Sequence, residues 1–172
     1  TGEISPSNLV SVGAEASGQI KKLYVKLGQQ VKKGDLIAEI DSTNQLNTLN
    51  TEKSKLETYQ AKLVSAEIAL SSAEKKYKRE LALWKEQATS KEDLESAQDS
   101  LAAAKANVAE LKASIKQSKI SINTAESELG HTRITATMDG TVVAIPVEEG
   151  QSVNAAQSTP TIIQLANLET ML

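Results

Sequence analysis

The sequence predicts an α+β protein in which a long antiparallel helical hairpin is inserted between the two halves of a small β-sandwich. Three observations predict it. A stretch of 95 residues contains neither glycine nor proline, two seven-residue ladders match each other in reverse, and a glycine-marked repeat is split between the chain's two ends.

The breaker-free stretch comes first. All eight glycines lie at positions 2–34 or 130–150, and the prolines are Pro6, Pro146 and Pro160. Between Asp35 and Leu129 the chain is rich in Ala, Leu, Lys, Glu and Gln, the residues that lose least on entering a helix. The flanks carry Val, Ile and Thr between regular glycines, which reads as short strands and turns.

Within the stretch, counting in sevens from Leu49 gives Leu56, Leu63, Leu70, Tyr77 and Trp84. Counting in sevens from Leu94 gives Leu101, Val108, Ile115, Ile122 and Leu129. A strict heptad repeat of apolar residues makes a seam that supercoils against a partner. Partial second seams run through Ala66 and Ala73, and through Ala97, Ala104, Leu111 and Ala125. Pairing 84 with 94, 77 with 101, and so on to 49 with 129 gives position numbers that always add to 178. That is an antiparallel hairpin folded near position 89. Ser90 followed by Asp93 resembles a capping box at the start of the second helix. The helices should therefore run from about 43 to 86 and from about 91 to 129, each arm roughly 60 Å long at 1.5 Å per residue. Gly130 suits the position just past the second helix.

The flanks repeat one pattern. Gly18, Ile20, Val25, Gly28, Gln29 and Val31 align without a gap on Gly140, Val142, Val147, Gly150, Gln151 and Val153. Both read G-x-[IV]-x4-V-x2-G-Q-x-V, a strand, a glycine turn and a second strand. One such copy is too short to bury its apolar face. An antiparallel hairpin brings residue 41 beside residue 131, so the copies can complete one sandwich together.

Composition bounds the function. The chain has 172 residues, a net charge of −3, no cysteine, no phenylalanine and four aromatics, Tyr24, Tyr59, Tyr77 and Trp84. Few aromatics predict a thin structure rather than a thick core. The acidic balance argues against nucleic acid as a partner. The 13 acidic and 13 basic residues of positions 42–130 cancel, which makes the arm a poor ligand for DNA or an anionic membrane. Absent cysteine excludes disulfides, thiol catalysis and Cys-based zinc sites. No apolar run reaches the ~18 residues of a membrane span. His131 is the single histidine, and a lone histidine at a helix–strand junction is more often structural or exposed than catalytic. With no phosphate-binding loop, metal-ligand cluster or nucleophile motif, the chain is not expected to be an enzyme.

The residues also carry a resemblance. The first copy, continued through Gly34-Asp35-Leu36-Ile37-Ala38-Glu39-Ile40-Asp41, resembles the first half of a lipoyl or biotinyl carrier domain. In such carriers a modified lysine follows this strand on a tight hairpin. Here Ser42-Thr43-Asn44 lead into the helical arm instead, so no lipoyl or biotin cofactor is expected. A lipoyl-like sandwich split by a coiled-coil hairpin resembles the periplasmic adaptor (membrane fusion protein) family of tripartite efflux and secretion systems. The implied layout is a split lipoyl-like domain at 11–41 and 131–168 and a hairpin at 42–130. Segments 1–10 and 169–172 would be stubs of an adjoining β-barrel domain.

Many adaptors of that family carry Arg-x3-Leu-x6-Ser at the tip, where they engage a TolC-like outer-membrane channel. Arg79, Leu83 and Ser90 match that spacing. Read for themselves, they are a solvated cation, a packing residue and a helix cap. Within the family the chain is similar to the macrolide-type adaptors, through Thr132-Arg133-Ile134-Thr135-Ala136, Gly140 and the run Val153–Pro160. It departs from them at Thr137, where a proline is frequent. The resemblance implies that Gln157 projects from its loop into a central channel as a one-way gate. It also implies six copies in a ring, and an inner-membrane ABC transporter (MacB-like) as partner through domains not in this chain. It places the parent protein in the periplasm of a Gram-negative bacterium, anchored to the inner membrane. An adaptor of the same family serving an RND pump or a type I secretion system is the alternative.

Overall fold

A computed structural model of the chain describes residues 9–156 and 158–167. The expected barrel stubs fall mostly outside those residues, as does Gln157. The first flank forms β1 (Leu9–Gly13), β2 (Gly18–Leu23), β3 (Gln30–Val31) and β4 (Leu36–Ile40). Two long helices follow, α1 (Thr43–Lys85) and α2 (Lys91–Gly130). The second flank forms β5 (Arg133–Thr135), β6 (Gly140–Ala144), β7 (Ser152–Val153) and β8 (Thr161–Ala166). The α+β class and the hairpin between two half-sandwiches are as the sequence predicts.

The two halves exchange strands. One sheet has the order β1-β8-β6-β3 and the other β5-β4-β2-β7, so each sheet takes two strands from each half. All pairings are antiparallel. The repeat explains the exchange bond by bond. Gly28 N donates to Val142 O at 2.7 Å, and its counterpart Gly150 N donates to Ile20 O at 2.8 Å. Val142 N donates to Gln29 O at 2.9 Å, and Ile20 N to Gln151 O at 2.8 Å. Each turn thus closes onto the first strand of the other copy. Gly28 and Gly150 have φ of 85° and 87°, a left-handed conformation that a Cβ disfavours. The glutamines that follow accept the backbone N–H three residues back, Lys26 N to Gln29 Oε1 and Glu148 N to Gln151 Oε1, both at 3.1 Å. The valine and isoleucine positions of the motif, Ile20, Val25, Val31, Val142, Val147 and Val153, are all buried.

Those side chains meet Val12, Ile37, Ile40, Ile134, Ile162, Ile163 and Leu165 in one aliphatic core. Fully burying a side chain of this size stabilises the fold by about 1.5–3 kcal/mol. The core contains no aromatic ring, as the composition foretells.

The helices are set by their ends. Ser42 O accepts the first helical bond of α1, from Leu46 N at 2.8 Å. Asp41 Oδ1 accepts from Thr43 Oγ1 at 2.8 Å and from Thr43 N at 3.1 Å. Those Thr43 hydrogen bonds hold the Asp41 carboxyl below its ordinary value. At the far end of α2, Gly130 is helical rather than left-handed. The stop is made instead by Thr132, whose hydroxyl donates to Leu129 O at 2.6 Å while its carbonyl accepts from Ile40 N at 2.8 Å.

Along the hairpin, every ladder residue from Leu49 to Tyr77 and from Leu94 to Leu129 is buried or half-buried. A shallow groove lined by Tyr59, Ala66 and Ala69 of α1 and by Asn107, Leu111 and Ser114 of α2 gives the register that the ladders require. Trp84 departs from the ladder and is 41% exposed, because the seam runs out at the end of the hairpin. The second seam also contains Ser118, which is buried with its hydroxyl unpartnered among the described residues. Ser118→Ala should therefore stabilise the hairpin by about 1 kcal/mol, by removing that desolvated hydroxyl and raising helix propensity. A thermal melt would show it as a higher midpoint, and an unchanged or lower midpoint would refute it.

Candidate functional site

The sequence-matched tip residues Arg79, Leu83 and Ser90 lie around the closed end of the hairpin. Arg79 and Leu83 are four residues apart on α1 and so share one face. Ser90 begins α2. Its Oγ accepts from Asp93 N at 3.0 Å and its carbonyl accepts from Leu94 N at 3.1 Å, so it is the N-cap that the sequence predicts. Glu92 and Asp93 place negative charge in the same first turn, where the helix dipole favours it.

The end of α1 is closed by a paired motif. Ala88 N donates to Leu83 O at 2.7 Å and Gln87 N donates to Trp84 O at 3.0 Å. This is the Schellman arrangement, with Gln87 in the left-handed position at φ 58°. Glycine is the usual residue there, because a Cβ costs roughly 1–2 kcal/mol in that conformation. Gln87→Gly should therefore raise the hairpin's thermal midpoint, by about 1 kcal/mol of stability less the extra freedom of glycine in the unfolded chain. A fall in midpoint would mean that the Gln87 side chain holds the turn.

A further bond fixes the turn sideways. Thr89 Oγ1 donates to Glu80 Oε2 at 2.7 Å, partly buried. Sequence reasoning missed this pair. Its one signal is Glu80 itself, an acid three residues after Tyr77 where the second seam calls for an apolar side chain. Arg79, by contrast, has no hydrogen-bond or ion-pair partner among the described residues. Leu83 is 39% exposed. The tip is thus a rigid turn that presents a free guanidinium, a bare leucine and a capping hydroxyl.

Gln157 lies outside the described residues, so the gate expectation rests on its neighbours. Asn154 Oδ1 accepts from Ala156 N at 2.9 Å, and Ser17 Oγ accepts from Ala155 N at 2.8 Å. The loop up to residue 156 is therefore tied to the turn between β1 and β2. On that turn Glu15 Oε2 lies 3.0 Å from Nε2 of His131, within hydrogen-bond distance. Among the described residues no three His, Cys, Asp or Glu side chains gather as metal ligands. No helix there is long and apolar enough to cross a membrane. Asp41 enters α1 directly, so the strand that precedes the acceptor lysine in carriers leads here into the arm.

The family model described as RND MFP, barrel-sandwich hybrid domain, matches residues 8–165. The chain belongs to the membrane fusion protein family. The match takes in both half-sandwiches and the whole hairpin of this membrane fusion protein. The pyoverdine export membrane fusion protein PvdR of Pseudomonas putida is 44% identical over 170 residues, 99% of this chain and 43% of that protein. The macrolide export protein MacA of Yersinia pestis is 40% identical over 172 residues, all of this chain and 46% of that protein. The crystal structure of MacA from Actinobacillus actinomycetemcomitans superposes with a TM-score of 0.93 at 53% identity, over 97% of this chain and 52% of that one. The chain therefore spans about half the length of the curated relatives it matches.

Proposed function

We propose that this chain is the hairpin-bearing segment of a periplasmic adaptor in a tripartite drug-efflux pump. The adaptor bridges an inner-membrane ABC transporter (MacB-like) to a TolC-like outer-membrane channel. It does no covalent chemistry and works in the periplasm, anchored to the inner membrane by parts of the protein beyond this chain. The tip carries the reading: Arg79 and Leu83 are exposed on one face of a helix whose end is rigidly closed, with Ser90 across the turn. Arg79 can donate forked hydrogen bonds to acceptors on a helical end, and Leu83 can fill a groove between two helices.

Six copies stand side by side, with the half-sandwich modules in a ring and Gln157 pointing into its centre as the gate. Bulky apolar side chains left bare on the outside of the hairpin support that packing. Val64 and Ile68 on α1 are 59% and 64% exposed, and Ile120 on α2 is 60% exposed. The runner-up, an adaptor of the same family for an RND pump or a type I secretion system, draws on the description of the matching family model. The MacA relatives favour the macrolide-type branch.

The test is site-specific cross-linking in cells. Ser90→Cys in the full-length protein, with a short thiol-reactive linker, should form a cross-link to the outer-membrane channel. Leu83→Asp in the same background should abolish it and remove export. If neither Ser90→Cys nor a cysteine at a neighbouring tip position cross-links while the pump is active, the tip does not dock on the channel.

A further inference from the structure

We infer that Trp84 is an anchor of the docking surface, seated in an apolar pocket of the channel's helical end with its indole N–H bonded to an acceptor at the pocket's rim. The inference rests on the docking reading above. It adds a residue that the Arg-x3-Leu-x6-Ser pattern does not contain.

The seven-residue count assigns Trp84 to the seam, opposite Leu94. The structure leaves it 41% exposed, while the ladder residues behind it, Leu70 and Tyr77, are half-buried. The indole N–H has no partner among the described residues. A buried tryptophan ordinarily finds an acceptor for that group. The ring is not on a frayed end either. The carbonyls of Leu83 and Trp84 each accept a turn-closing bond, and Thr89 is pinned to Glu80. An amphipathic ring held on a rigid backbone at the closed end of the hairpin has the character of an interface anchor, because little freedom is lost when it docks. It follows Leu83 in the last turn of α1, and both side chains are exposed at the closed end of the hairpin, 39% and 41%. Trp84 is also the only tryptophan in the chain.

The partner's chemistry follows. The pocket is apolar, wide enough for a bicyclic ring, and edged by a carbonyl or carboxylate oxygen. A channel with a narrower groove would admit Leu83 but reject Trp84, which makes the residue a determinant of which channel is accepted.

The test measures binding of the full-length adaptor to the purified channel in detergent. Parallel samples carry Trp84→Ala, Trp84→Phe or Leu83→Asp. Trp84→Ala should weaken binding by about 30-fold, the scale of an interface hot spot. Trp84→Phe, which keeps the ring and loses the N–H, should lie between it and the native protein. Helical content should stay within error for both, and binding is measured well below the thermal midpoint of each variant, because a ring 41% exposed is partly packed on the hairpin. If Leu83→Asp abolishes binding and Trp84→Ala leaves it unchanged, the inference fails and the docking reading stands. If the native protein itself shows no binding, both fall.

Discussion

Gly140→Ala should destabilise the sandwich by about 3 kcal/mol, far more than the same change at Gly28. The two positions fail for different reasons. A Cβ at Gly140 would stand 2.7 Å from the carbonyl oxygen of Ala166 and 3.3 Å from its carbon. Both atoms are backbone of β8, the strand that β6 pairs with, so no rotamer change relieves the contact. The strands must separate, and β6 also carries β3 of the first half on its other edge, so the disturbance reaches the join between the halves. At Gly28 a Cβ meets nothing within 4 Å, so only its left-handed φ of 85° resists substitution. That costs about 1 kcal/mol. Gly18, the counterpart of Gly140, should also cost more than Gly28, because its Cβ would meet Cγ2 of the buried, β-branched Ile40 at 2.9 Å and its φ of 153° disfavours any side chain. Calorimetry of the three variants would rank them. For a chain of this size about 3 kcal/mol lowers the midpoint by roughly 6–12 °C. Equal losses at Gly28 and Gly140 would mean that the close approach to Ala166 relaxes freely.

Ile163→Ala should cost about 3–4 kcal/mol, and Leu56→Ala on the hairpin only about 1–2 kcal/mol. Ile163 has no exposed surface and sits among Val12, Ile37, Ile162 and Leu165 in a core closed on both sides by sheet. Deleting its atoms leaves a cavity that the sheets cannot collapse to fill, so the cavity adds to the lost transfer energy. Leu56 is half-buried in a seam a single residue deep, and water can enter the space it leaves. Urea unfolding followed by hydrogen exchange at the β8 amides and at the helix amides would resolve the two losses. A larger loss for Leu56→Ala would mean that the seam, not the sandwich, dominates stability.

The helices and the repeat were legible because each is written in local spacing. Residues 49 to 129 announce the hairpin through a period of seven, and Ser90 announces its cap through Asp93. The six repeat positions announced a shared fold, and burial of Ile20, Val142 and their counterparts follows from it. What was not legible is which half pairs with which. β3 and β7 are two residues long, and their partners, near Thr141 and Gly18, are more than a hundred positions away. No local signal encodes that. The turn-closing role of Gln29 and Gln151 lay in plain view inside the motif. A glutamine next to a glycine turn is more often a solvated side chain, so the identity in both copies was the only cue. Gly130 misled because glycine marks helix ends in general, whereas here the stop is a threonine hydroxyl. Trp84 misled because a period counts layers and does not say where the arm ends.

The exchange of strands between halves bears on the order in which the molecule can be made. Synthesis delivers residues 9–40 first, and those strands supply only half of either sheet. Of these β2 and β4 can pair with each other, but β1 and β3 have no partner until β8 and β6 follow, after the whole of α2. The hairpin contacts are closer in sequence, and each helix can form as it is made. The arm therefore folds first and acts as the tether that shortens the search between the two half-sandwiches, converting a loop closure of about a hundred residues into a short-range meeting. Pulsed hydrogen exchange during refolding should protect the helix amides before those of β8, and the reverse order would show that the halves find each other unaided. A lesion in the seam near Leu49 or Leu129 would on this view slow the assembly of a sandwich that it leaves equally stable once formed.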